Sequence, residues 1–237
     1  MNQHINESAN SQTNQLTSLP AFQPPSLPTI IRWILLGGLL LAAVGAAFAP
    51  WVARPPAALM LTAPDLAEFV KFLPDVRNGS LRVYRLLFLL PLFTATSALP
   101  LFITAQRLAY PGWVRWPVLV SVVPLSLVLL PPVWSPTVLL SSEFRLQTIA
   151  CAVCLGLITT TRWLGHTPRR LLIRLFLPLA LAAPALAFWQ FFVVRAAISR
   201  AYAGPILPGW GAWATVFGFV LTALAALLAM RRLSLTR

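Results

Sequence analysis

The chain has 237 residues, 58% of them hydrophobic and 10% charged, with a mean hydropathy of +0.78. Water-soluble domains run at about 45–50% apolar and about 25% charged, so the composition speaks against a soluble globule and for a bilayer as solvent. Seventeen arginines and Lys71 face only five acids, Glu7, Asp65, Glu68, Asp75 and Glu143, for a net charge of +13. The basic residues stand at the margins of long apolar runs and not along one helical face. That is the pattern of membrane-boundary anchors and not of a nucleic-acid surface.

Met1 to Pro28 is rich in Asn, Gln, Ser and Thr, with Glu7 its only charged side chain. Such a segment cannot bury enough apolar surface to fold, so residues 1–29 are expected to be a disordered tail and residues 30–237 a transmembrane domain. Ala47-Phe48-Ala49 has the form of a signal-peptidase site, but the segment before the apolar run is about 30 residues long with Arg32 as its only basic residue, unlike the short charged start of a signal. An uncleaved first helix is expected.

A spanning helix needs about 20 mostly apolar residues, and six stretches qualify: Ile34 to Trp51, Leu86 to Ala105, Trp116 to Trp134, Leu146 to Thr161, Leu171 to Val194 and Trp210 to Met230. The predicted fold is an all-α integral membrane protein, a bundle of six transmembrane helices. Trp33 and Trp51 bracket the first span, and Trp113, Trp116 and Trp134 frame the third, as indoles do at the membrane interface. Gly38, Ala42, Ala46 and Ala49 in the first span, and Ala225 and Ala229 in the sixth, recur at three- and four-residue spacing. Small residues so placed let helix backbones approach in lipid.

Between spans one and two the spacing predicts a short interfacial amphipathic helix. Thr62 can cap it, Asp65 completes a T-x-x-D box and Pro64 is tolerated in a first turn. Leu66, Phe69, Val70 and Leu73 share one face, Asp65, Glu68 and Lys71 the other, and Pro74 stops it. It either lies in the interface or covers the mouth of the bundle. Asn78-Gly79-Ser80 then reads as a turn.

Six spans put both termini on one side. That side carries ten Lys and Arg, the other eight, so the positive-inside rule favours both termini in the cytoplasm, and a bacterial plasma membrane is the expected location.

Prolines are frequent inside the spans: Pro91 and Pro100 in the second, Pro117, Pro124, Pro131 and Pro132 in the third, Pro178 and Pro184 in the fifth. Each removes an N–H and displaces the carbonyl four residues earlier, and in hydrocarbon such groups need partners. Pro117, Pro124 and Pro131 are seven apart and share a helix face. Thr94, Thr96 and Ser97 on the second span and Ser121 and Ser126 on the third can satisfy freed carbonyls. With Gln190 on the fifth, these residues define a candidate substrate route, a bent and hydratable seam between spans two, three and five. Kinks that serve packing alone are the alternative. Gln147, Thr148 and Gln190 are otherwise expected to hydrogen-bond between helices, and Arg174 to reach back toward the membrane surface.

No Asp or Glu lies within any span, which disfavours a proton- or sodium-coupled carrier. His4 and His166 have no partners at metal-ligand spacing, and no G-x-S-x-G, H-E-x-x-H or P-loop pattern occurs, so neither catalytic residues nor a cofactor is expected. Cys151-Ala152-Val153-Cys154 is a CxxC near one end of the fourth span. It resembles the redox-active CxxC of quinone-linked thiol oxidoreductases of the vitamin K epoxide reductase type, over these four residues only. The second, loop-borne cysteine pair of that family is missing, and two ordinary apolar helix cysteines are the alternative.

In size and topology the chain is similar to permease subunits of ATP-driven exporters of the ABC-2 type and to substrate-capturing subunits of vitamin importers, without a shared motif. That likeness implies a non-catalytic transport subunit dependent on a partner ATPase. Arg162, Arg169 and Arg170, in the loop where Thr167 and Pro168 precede a helix, are the candidate cytoplasmic contact, for a partner or for phospholipid headgroups. A structural or assembly subunit of a membrane complex is the second expectation.

Overall fold

The computed structural model describes residues 28–54, 59–105, 108, 110–164, 169–202 and 204–234. The expected tail falls almost wholly outside them, as do His166, Thr167 and Pro168. The chain is mostly helical. Ten helices occur among the described residues: α1 (Thr29–Ala47), α2 (Ala63–Phe69), α3 (Pro74–Arg77), α4 (Leu90–Thr104), α5 (Gly112–Leu127), α6 (Pro136–Leu139), α7 (Arg145–Thr159), α8 (Thr161–Leu164), α9 (Arg169–Ala201) and α10 (Trp210–Ser234). An antiparallel hairpin not foreseen in the sequence, β1 (Val52–Arg54) with β2 (Leu59–Leu61), follows α1, with Val52 opposite Leu61.

Three helices are long and apolar enough to cross a membrane: Thr29–Ala47, Leu171–Ala201 within α9, and Trp210–Arg231 within α10. The other three apolar helices, α4, α5 and α7, have 15, 16 and 15 residues. At 1.5 Å per residue each gives about 22–24 Å of helix, short of the roughly 30 Å hydrocarbon core. Proline sets two of their ends. Pro91 lies in the first turn of α4, where its missing N–H costs nothing, so Leu86 to Phe88 form a 3-10 turn ahead of the helix instead of its opening turns. Pro131 and Pro132 lie beyond the end of α5. In contrast, α9 runs past the expected Val194 to Ala201, with Val194, Ala197 and Ile198 buried. Its 33 residues span about 50 Å.

The tightest packing joins α1 to α10. Gly38 and Gly45 of α1 lie against Gly218, Thr222, Gly211 and Thr215 of α10 so closely that a Cβ on Gly38 would come within 2.7 Å of the Gly218 carbonyl. Thr215 and Thr222 turn their hydroxyls back onto the Gly211 and Gly218 carbonyls, 2.8 Å each, so the oxygens that face Gly45 and Gly38 across the seam are already hydrogen-bonded. The small residues of the first and sixth spans thus serve one another. Antiparallel pairing of these helices brings Thr29 and Ser234 to one end of the bundle. There Arg32 Nη1 donates to the Leu108 carbonyl at 2.7 Å, the Tyr110 hydroxyl donates to the Arg32 carbonyl at 2.7 Å, and Trp33 packs on Tyr110 and Trp113.

The opposite end is capped by the hairpin, α2, α3, the last turns of α9 and the segment before α10. Trp51 belongs to this cap's core and not to the lipid interface: it is 0% exposed, donates from Nε1 to the Gly45 carbonyl at 3.3 Å and packs on Phe188. The peptide of Gly209 donates to the Trp51 carbonyl at 2.7 Å, so the strand after Trp51 is also tied to the start of α10. Trp33, Trp113, Trp116 and Trp134, by comparison, are exposed as belt residues should be.

Candidate functional site

The most developed polar site stands at the capped end. α2 begins as its sequence dictates: the Thr62 hydroxyl accepts from the Asp65 N–H, and Asp65 Oδ2 accepts from the Thr62 N–H at 3.1 Å, a closed capping box. The helix and the 3-10 turn Val70–Phe72 that continues it bury Leu66 and Val70, with Leu73 behind them, and leave Phe72 exposed. Pro74 does more than stop it, because Pro74 opens α3. Gly79 takes φ +73° in the turn that follows, a conformation glycine adopts without strain.

The charged face of α2 meets two segments distant in sequence. Lys71 Nζ lies 2.6 Å from Glu68 and 2.8 Å from Glu143, and Arg85 Nη1 lies 2.9 Å from Glu143 and 3.4 Å from Glu68. Both cations also sit over the Phe144 ring, 5.0 and 5.1 Å from its centroid. Gln147, buried at the start of α7, donates from Nε2 to Glu68 at 3.4 Å. A second pair, Arg200 with Asp75, ties α9 to α3. The Lys71 hydrogen bond holds the Glu143 carboxyl below its ordinary range, against the opposing cost of burial and with help from the charges of Lys71 and Arg85. Burial works to lower Lys71, but its hydrogen bonds to Glu143 and Glu68 and their charges prevail and raise it. At the other end, burial raises the Tyr110 phenol, with Arg32 opposing.

Beside this network lies a cleft of about 620 Å³. One wall is α2 with Thr62, Asp65, Glu68, Phe69 and Phe72; the other is Phe48, the chain after α5 from Val128 to Leu130, and Gln147. A pocket of about 120 Å³ between α4 and α7 shares Leu89, Leu129 and Gln147 with it. Cleft size, apolar walls and a few convergent polar groups are the ordinary attributes of a ligand site. Sequence reasoning placed Asp65 and Glu68 on a solvent face and missed the cleft. The available signal was a carboxylate-bearing amphipathic helix next to a span that opens with Gln147.

The residues of the expected seam are distributed differently. Thr94 and Thr96 are buried on α4, and Ser126 on α5. Ser97, Ser121 and Ser126 donate to the carbonyls of Thr94, Val118 and Val122 in their own helices, not across the bundle. Pro117 and Pro124 are exposed, so the loosened carbonyls of α5 face outward. α4 packs against α5 and α9, and none of the described cavities is lined jointly by all three. Gln190 is fully buried on α9; its Oε1 accepts from the Tyr84 N–H at 3.4 Å, and its Nε2 and the Thr96 hydroxyl have no hydrogen-bond partner among the described residues. Gln147 bonds to the cap and Thr148 to the Leu139 and Phe144 carbonyls. Arg174 is exposed. Arg162 lies in α8, and Arg169 and Arg170 open α9; their side chains are outside the described residues.

Cys151 and Cys154 are buried free thiols on α7, with Ser126 beside Cys154. Among the described residues no group of three His, Cys, Asp or Glu could hold a metal ion. A wholly apolar groove of about 370 Å³ runs between α9 and α10 past Pro184, Phe188 and Trp213.

The fold and site define a mostly helical protein with three helices long and apolar enough to cross a membrane and a folded, charged cap. Comparison with protein-family models, with curated proteins and with solved structures finds no match.

Proposed function

We propose that this chain is the non-catalytic membrane subunit of a transport system, which captures a substrate at the capped end and draws energy from a partner. All six apolar helices cross the bilayer in this reading, α4, α5 and α7 with the help of the turns at their ends and local thinning of the bilayer. Both termini are cytoplasmic and the cap faces outward. The observation that carries the reading is the cleft: it is of ligand size, it opens at the end opposite Thr29 and Ser234, and its polar groups, Thr62, Asp65, Glu68 and Gln147, come from two segments distant in sequence. Only the binding half of transport is built there. Energy coupling would pass through the end that bears Arg162, Arg169 and Arg170.

The second reading, a structural or assembly subunit, is favoured by the closed contact of α4 with its neighbours and the inward saturation of the α5 serines on their own helix. Purification in mild detergent with identification of co-purifying proteins separates the two. A stoichiometric ATPase is the expected result; a stable set of other membrane subunits without one would replace transport by assembly.

A further inference from the structure

We propose that the cleft and the pocket beneath it form one bipartite site for a quaternary ammonium compound with a short alkyl tail. The inference rests on the capture reading for its purpose, but its chemistry stands on the cavities themselves.

Three phenyl rings, Phe48, Phe69 and Phe72, line the cleft together with Asp65 and Glu68. Phe72 is 70% exposed and Phe48 56%, so both rings are accessible at the mouth of the cap. Aromatic faces grouped around a carboxylate are the chemistry that recognises an alkylated ammonium, which attracts ring quadrupoles and donates no hydrogen bond. Charge bookkeeping agrees. Glu68 and Glu143 are matched by Lys71 and Arg85. Asp65, whose Oδ2 is committed to the Thr62 cap, has no ion-pair partner among the described residues. One negative charge is thus left on the cleft wall of a chain whose net charge is +13.

The tail follows from the second cavity. Leu89, Leu129 and Gln147 line both spaces, and the rest of the pocket is apolar: Leu86, Leu90, Phe93, Leu146 and Ala150. A head held among the rings sets its substituent against these shared residues, beside a space whose lining is apolar apart from Gln147. The unpaired charge of Asp65 disfavours a phosphocholine lipid head, whose phosphate would lie against it. The ligand is a free amphiphilic cation.

Equilibrium dialysis of the full chain in maltoside micelles, with empty micelles as blank, tests this with four probes: hexyltrimethylammonium, tetramethylammonium, hexanesulfonate and sub-micellar dodecylphosphocholine. Hexyltrimethylammonium is expected to bind at least about tenfold more tightly than the others, since it alone joins a free cationic head to methylenes that can be buried. Ala150→Leu, which fills the pocket, is expected to abolish its advantage over tetramethylammonium. Phe72→Leu, at an exposed position where folding is not at stake, is expected to weaken both cations about two- to fivefold. Equal binding of the hexyl cation and the hexyl anion, or competition by dodecylphosphocholine at equal strength, overturns the proposal. So does an Ala150→Leu variant that keeps the tail preference. Cation binding by a chain that co-purifies with no ATPase would leave the site intact and remove the transport reading; an ATPase partner with no cation binding would do the reverse.

Discussion

Substituting one glycine of the α1 and α10 seam with alanine, beside a matched glycine outside it, measures what close approach contributes. A Cβ on Gly218 would lie 2.5 Å from the Ala42 nitrogen and 2.6 Å from the Gly38 carbonyl oxygen. Optimal carbon contacts are about 3.5–4.0 Å, so the two backbones must part by about 1 Å, and neither obstacle is a side chain that can swing away. Gly37 is on the same helix as Gly38, but a Cβ there meets nothing within 4 Å. Both substitutions gain the same helix propensity, about 0.5–1 kcal/mol, so the difference between them isolates strain. Overpacking of this kind costs about 1–3 kcal/mol. SDS-titrated unfolding in mixed micelles, followed by circular dichroism, is expected to find Gly37→Ala neutral or stabilised and Gly218→Ala below it by that amount. If the two variants fall within about 0.5 kcal/mol of each other, the spread expected of inert surface changes, the seam is not the close contact described and the reasoning fails.

The remaining expectations concern the cap and the thiols. Because Glu143 is held below its ordinary range, its contribution is present above the unfolded carboxylate pKa of about 4.3 and is lost as pH falls through the lower folded value. Lys71, raised, contributes below about pH 10.4 and loses its contribution as pH rises through its folded value. Hydrogen exchange of the α2 amides should therefore be slowest between about pH 5 and 10 after correction for intrinsic rates, and Glu143→Gln should remove the acid limb; an unchanged acid limb in that variant would assign it to other groups. Brominated lipids should quench Trp113 and Trp116 and spare Trp51, read from single-tryptophan variants; a strongly quenched Trp51 would contradict its burial. Maleimide should label Cys151 and Cys154 only after denaturation, and mild oxidation should leave both thiols free; a native disulfide would revive the thiol oxidoreductase resemblance.

What was legible in the sequence was what is local. Thr62 and Asp65 are three residues apart, and their capping box forms as read. The Asn78-Gly79-Ser80 turn, likewise local, has Gly79 in the left-handed region. Small residues at Gly38 and Ala42 marked a close helix contact, but its partner, Gly218, is 180 residues away and nothing in the spacing names it. Trp51 was misplaced because indole suits both a wet interface and a core that offers one carbonyl, and the Gly45 carbonyl decides the matter. Proline count overstated the kinks, since Pro91 sits where helices tolerate it and Pro131 lies past a helix end. The cleft was invisible because Glu68, Leu129 and Gln147 come together only through tertiary packing. The fifth apolar stretch ends at Val194, yet charge ends hydrophobicity and not helix propensity, and α9 continues to Ala201.

That continuation makes α9 a lever. Pro184 interrupts its ladder of backbone bonds and is the natural pivot, and the 17 residues beyond it form a rigid arm of about 25 Å. Arg200, near its tip, grips Asp75 in α3. A tilt of about 10° at the pivot carries the tip some 4 Å, by the same rise per residue. Any tilt at Pro184 would therefore be felt where the arm meets α3, a few residues along the chain from Lys71 and Phe72.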